Sequence, residues 1–145
     1  MSAGAPWRRL RNIIVHADTE PVGLIMGLYT LSWGLILLLP AKTFANPSYA
    51  RMESIAPEDV WGVFIVLLGC VILYGVLYGV SVCRVSTSLI TALLWTVIGF
   101  LTGSAGGWST TGWIHFFGAA LISYAMHYRL LHEFYLARKG GPRAD

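Results

Sequence analysis

Four stretches of this chain, residues 22–39, 60–82, 85–102 and 112–128, contain no Asp, Glu, Lys or Arg. A helix needs about 17 to 25 predominantly apolar residues to cross a hydrocarbon core, so each stretch qualifies by length. Backbone N–H and C=O groups find no water in lipid and must be satisfied within the segment. The runs lack the short apolar/polar alternation of barrel strands, which leaves helices. The sequence therefore predicts an all-α, polytopic membrane protein with four transmembrane helices. Composition agrees: 56% of the 145 residues are hydrophobic and 12% are charged, about half the charge of an ordinary soluble domain. No repeat or domain boundary interrupts the pattern, so residues 1–145 are read as one membrane domain.

Sidedness follows from the basic residues, which cytoplasmic segments retain. Arg8, Arg9, Arg11, Arg84, Arg129, Arg138, Lys139 and Arg143 fall on one side of the predicted spans, and only Lys42 and Arg51 on the other. Both termini are expected in the cytoplasm. The arginines before the first span resemble the start of a signal peptide, but the apolar run that follows is longer than a usual signal core, so it is expected to stay as a span. The net charge of +3 is too small to suggest nucleic acid as a partner.

Between positions 5 and 18, Trp7, Leu10, Ile14 and Ala17 recur at helical spacing, with Arg8, Arg9 and Arg11 on the remaining faces. That pattern predicts an amphipathic helix lying in the membrane interface. In the first outer loop, Asn46–Pro47 is a helix-start signal, and Tyr49, Met52 and Ile55 predict a short interfacial helix. Pro57, Glu58 and Asp59 then suit the start of span two, where carboxylates favour the positive helix end. Trp61, Trp108 and Trp113 are expected at headgroup level. Residues 129–145 are expected to carry the last helix into the cytoplasm and end as a tail.

Three histidines, His115, His127 and His132, lie in or just beyond the last span, but a rotation of about 100° per residue puts them on different faces. No paired haem ligand faces them and no HExxH sequence is present, so no cofactor and no metal are expected. The loop GSAGGWSTTGW at 103–113 lacks the lysine of a phosphate-binding loop. Cys70 and Cys83 are read as lying in one helix, about 20 Å apart, and unable to pair. The spans hold no ionisable Asp, Glu, Lys or Arg, which argues against a coupled pump. No nucleophile has an evident base and acid, so no catalytic residue and no enzyme activity are expected.

The spans do hold small residues at close-packing intervals: Gly23 with Gly27, Gly75 with Gly79, and Gly99 with Gly103. These are expected to form helix-packing or oligomer contacts. Ser88, Thr91 and Thr102 make a mildly polar stripe on span three that could line a pore or bond a neighbouring helix. The basic N-terminal segment, the first span ending LLLP and the segment APEDVWG resemble small four-span membrane proteins of tailed phages and prophages. The resemblance implies a bacterial inner-membrane setting and a pore or lysis-associated role. The expected function is a homo-oligomeric, channel-like or holin-like protein whose partners are lipid and copies of itself. The other expectation is an accessory or anchoring subunit that recruits a partner protein.

Overall fold

The computed structural model describes residues 19–40, 42–106 and 112–139. Among them every regular element is helical: α1 (Thr19–Leu37), two 3₁₀ turns (Thr43–Ala45 and Pro47–Tyr49), α2 (Ala50–Glu53), α3 (Glu58–Leu77), α4 (Ser81–Gly106) and α5 (Gly112–Lys139). Three of these, α1, α3 and α4, are long and apolar enough to cross a membrane. The sequence predicted four such helices. The fourth, α5, is a helix of 28 residues, but its apolar part ends at Tyr128 and its remainder carries Arg129, His132, Glu133 and Arg138. The predicted interfacial helix at 5–18 lies outside the described residues.

The backbones approach most closely in two antiparallel pairs, α1 with α3 and α4 with α5. Glycines set the first pair. A Cβ at Gly34 would lie 2.6 Å from the Val66 backbone nitrogen, and one at Gly69 would lie 2.7 Å from the Leu31 nitrogen. Only hydrogen fits at these crossings, so the two helices meet backbone to backbone. The two pairs then close on each other through larger side chains, with Trp95, Phe116, Ile98, Ile65 and Met26 in one continuous core.

The α3–α4 junction falls earlier than the sequence predicted, at Tyr78–Val80 instead of Val82–Val85. Arg84 looked like the break because it is charged, yet it sits in the first turn of α4. The turn is made by Gly79 (φ +65°). Gly79 N–H bonds to Val76 C=O and Val80 N–H to Gly75 C=O, which is the Schellman arrangement that ends a helix. Cys70 and Cys83 therefore lie on different helices, contrary to the reading above, and both are free thiols. Replacing Gly79 with Ala forces a Cβ into the left-handed region at about 1–2 kcal/mol. The expected result is a lower midpoint in detergent melting, with helix content before the transition unchanged.

The segment after α1 folds into a cap. Asn46 Oδ1 accepts from Ser48 N–H (3.0 Å), as its helix-start signal implied. Glu58 and Asp59 lie in the first turn of α3, as expected, and the Glu58 carboxylate also reaches back to accept from Thr43 N–H (2.9 Å) and Phe44 N–H (3.3 Å). Trp61 was expected at headgroup level. It is half-buried against the core, and its Nε1–H donates to Met52 C=O (3.1 Å). Phe44 and Met52 are thereby held in the core, Met52 on the short helix that packs against α4. Phe44 stacks on Tyr49, whose phenol burial pushes above its ordinary pKa, so it stays neutral.

Candidate functional site

Polar side chains inside the bundle form a seam from the Arg84 end towards the capped end. Arg84 reaches from α4 to the start of α1, where its Nη2 donates to Thr19 Oγ1 (2.8 Å) and its Nη1 lies 3.7 Å from the Glu20 carboxylate. This joins the two helix pairs at that end. One turn further in, His127 of α5 meets α4: its Nδ1 is 3.0 Å from Val85 C=O and 3.2 Å from Ser88 Oγ. A carbonyl can only accept, so Nδ1 carries a proton and donates it towards Val85 C=O.

Beyond that level, Ser88, Thr91 and Trp95 follow at helical spacing on one face of α4, and Ser123 lies four residues before His127 on α5. All four are buried. The register is fixed at both ends, by Ser88 against His127 and by Gly99 against Phe116 and Phe117. Thr91 and Ser123 therefore fall at neighbouring levels between those contacts. From α1, Tyr29 places its ring 5.0 Å from the Trp95 ring, beside the buried Thr30. Trp95 also stacks on Phe116 at 5.6 Å and meets Trp33 edge-on at 6.2 Å. These rings close the seam towards the cap.

Ser88 and Thr102 are buried inside one chain and donate to carbonyls of their own helix, Val85 and Ile98 respectively; Thr91 is buried beside them. Their hydroxyls face the interior of the bundle and not its outer surface. Gly23 packs on Val76, Gly27 on Leu73, Gly75 on Cys83 and Gly99 on Phe117, all within the chain. Gly103 is buried in α4. Gly79 makes no packing contact, since a Cβ there would meet open space, and its role is the turn. Trp113 is half-buried, edge-on to Phe117 at 5.6 Å. Trp7, Arg8, Arg9, Arg11 and Trp108 lie outside the described residues.

The histidines separate as their rotation implied. His115 is exposed with its ring 3.9 Å from Phe116, and His132 is exposed beyond the bundle. Among the described residues no three His, Cys, Asp or Glu side chains come together as a metal site. At the capped end a cleft of ≈ 540 Å³ is lined by Leu37, Lys42, Phe44, Glu53, Glu58 and Asp59. Glu58 there is already committed to two backbone donors.

Sequence reasoning missed Gly34, Gly62 and Gly69, and it missed Tyr29, Thr30 and Ser123. The glycines had a signal: Gly27/Gly34 and Gly62/Gly69 are each two helical turns apart, so each pair lies on one face. The polar residues had none, because a lone Ser or Thr in an apolar run reads the same whether it faces in or out. No family model, curated protein or solved structure matches the chain. Geometry and residue chemistry carry the functional reading.

Proposed function

We propose that the chain crosses a bacterial inner membrane four times, with both ends in the cytoplasm, and acts as an anchoring subunit that presents the far end of α5 to a partner protein. α5 accompanies α4 from Phe117 beside Gly99 to His127 beside Ser88. It therefore shares the depth of a helix long enough to span. Its apolar part, 112–128, is about 26 Å long, close to a core of about 30 Å, and modest thinning closes the gap. The distribution of Lys and Arg supports the sidedness.

One observation carries the anchoring role. Past Tyr128, α5 runs on unbroken to Lys139, about 16 Å further. Along that extension Leu131, Phe134, Tyr135 and Leu136 remain exposed, while Arg129 Nε–H donates to Glu133 (2.8 Å) on the same helix. Inside the membrane, exposed apolar residues need no partner. On a helix that has left the bilayer they do.

A photo-crosslinking residue at Phe134, tested in native membranes, is expected to give one discrete adduct heavier than the chain, whereas one at the lipid-facing Leu121 (69% exposed) gives lipid adducts only. Lipid adducts alone at both positions defeat the anchoring role. The fourth crossing is checked separately: a fluorescent-protein fusion at the C-terminus should fluoresce and an alkaline-phosphatase fusion should be silent. The second reading is a channel-like or holin-like protein, in keeping with the resemblance to phage proteins. The buried polar seam favours it, and it moves the conduit from between subunits to the inside of each chain.

A further inference from the structure

Two groups of hydroxyls stand out among the described residues. Thr87, Ser88, Thr96, Thr102 and Ser104 each donate to a carbonyl three or four residues earlier in their own helix. That is how Ser and Thr ordinarily hide a hydroxyl in an apolar environment. Thr30, Thr91 and Ser123 do not take this route. Their hydroxyl oxygens are fully buried and bond to no protein group; the same holds for the Trp95 indole N–H, while the Tyr29 hydroxyl approaches the Trp33 side chain without a hydrogen bond of good geometry. With Arg129 Nη1 further along α5, six buried polar atoms among the described residues make no such bond, and the five here are too many to leave unsatisfied, because a buried donor or acceptor without a partner loses its full hydration.

These five groups are not scattered. Thr91 and Trp95 share a face of α4; Ser123 sits opposite on α5, in a register pinned at Ser88–His127 and at Gly99–Phe117. Tyr29 packs on Trp95 from α1, and Thr30, next along that helix, is fully buried. Hydroxyls can both donate and accept, the indole can only donate, and none pairs with another. Water is the molecule that matches this set: it donates twice, accepts twice, and bridges groups too far apart to bond directly. A soluble protein of this length holds on the order of five buried waters, each with about two to four polar partners.

We infer that the seam between α1, α4 and α5 is a hydration site, in which ordered water joins Thr91 and Ser123 to Tyr29, Thr30 and Trp95. Trp95 stacked on Phe116, with Trp33 inclined against both rings, closes it on the capped side. Ser88 and His127 close it on the other through bonds already made. The site is independent of the anchoring role, and it stands whether or not a partner docks on α5.

Labelled protein in nanodiscs of deuterated lipid tests this through magnetisation transfer from water to the Trp95 indole proton, assigned with W95F. Transfer at Trp95 is expected. The variant T91V gives a second readout whose sign separates the cases. In a dry seam, valine removes an unsatisfied hydroxyl at constant shape, so the melting temperature holds or rises. In a hydrated seam valine deprives a water of a partner, and the melting temperature should fall by about 3 °C or more. A silent Trp95 beside a responding Trp113, or a T91V midpoint at or above that of the parent, overturns the inference. If T91V does not fold, the transfer experiment on the parent decides.

Discussion

Replacing Gly34 with Leu is expected to separate α1 from α3 and to lower the stability of the bundle by at least about 3 kcal/mol, the upper end of ordinary overpacking. The added Cβ alone would sit 2.6 Å from the Val66 backbone nitrogen and 3.0 Å from the Gly62 carbonyl oxygen. A flexible side chain could yield at that distance; a helix backbone cannot. The helices must move apart along their length, and contacts such as Gly69 against Leu31 and Gly27 against Leu73 go with them. Between helices in lipid these contacts are most of what holds the pair, because lipid tails solvate leucine as well as another helix does.

The control is Gly118→Leu on α5, where a Cβ would meet nothing within 4 Å. It should melt like the parent. The same pair of variants separates packing within the chain from packing between chains. If the glycines of α1 held copies together, Gly34→Leu would reduce particle mass in mild detergent and leave the melting of each chain unchanged. The geometry requires the opposite: melting falls before any change in mass. An unchanged midpoint for Gly34→Leu would mean that α1 and α3 do not cross where Gly34 and Gly69 lie.

The helical class and the three long apolar helices were legible because they depend on long, averaged properties. Uninterrupted apolar length marked α1, α3 and α4 to within a few residues at most of their ends. The ends that slipped did so for a local reason. Arg84 looked like a break between spans, but an arginine can reach sideways to Thr19 and Glu20, whereas the turn needed the left-handed backbone of Gly79. The cap was half legible. Asn46 announced its turn, but nothing in the sequence says that Glu58 would bond fifteen residues back to Thr43.

The interior was the least legible, and the cause is physical. In a soluble helix the apolar stripe tells which face is buried. In a membrane helix every face is apolar, so periodicity carries almost no directional information. Leu67 and Ile65 look alike in sequence, yet one is exposed and the other buried. The same loss of contrast hid the direction of Ser88, Thr91 and Thr102 and the inward Ser123.

Trp95→Ala is the second large expected effect, because that ring is where both helix pairs meet, next to the Trp33 that Tyr49 of the cap packs on. It is fully buried, and it touches Tyr29 and Trp33 of α1 as well as Phe116 of α5. Truncating a buried Trp costs about 3–5 kcal/mol, as lost dispersion plus the cavity left behind. Detergent melting should register that loss, and Trp95→Phe should recover much of it by keeping a ring against Phe116. The two variants divide the roles of the indole. Stability follows ring volume, so phenylalanine lies near the parent; access to the seam follows closure, so only alanine opens it towards the cap. Liposomes carrying the alanine variant should release a trapped small dye faster than those carrying the parent if the channel-like reading holds. A variant that is folded, destabilised and still tight would leave the rings as packing alone, and with them the seam as a sealed interior.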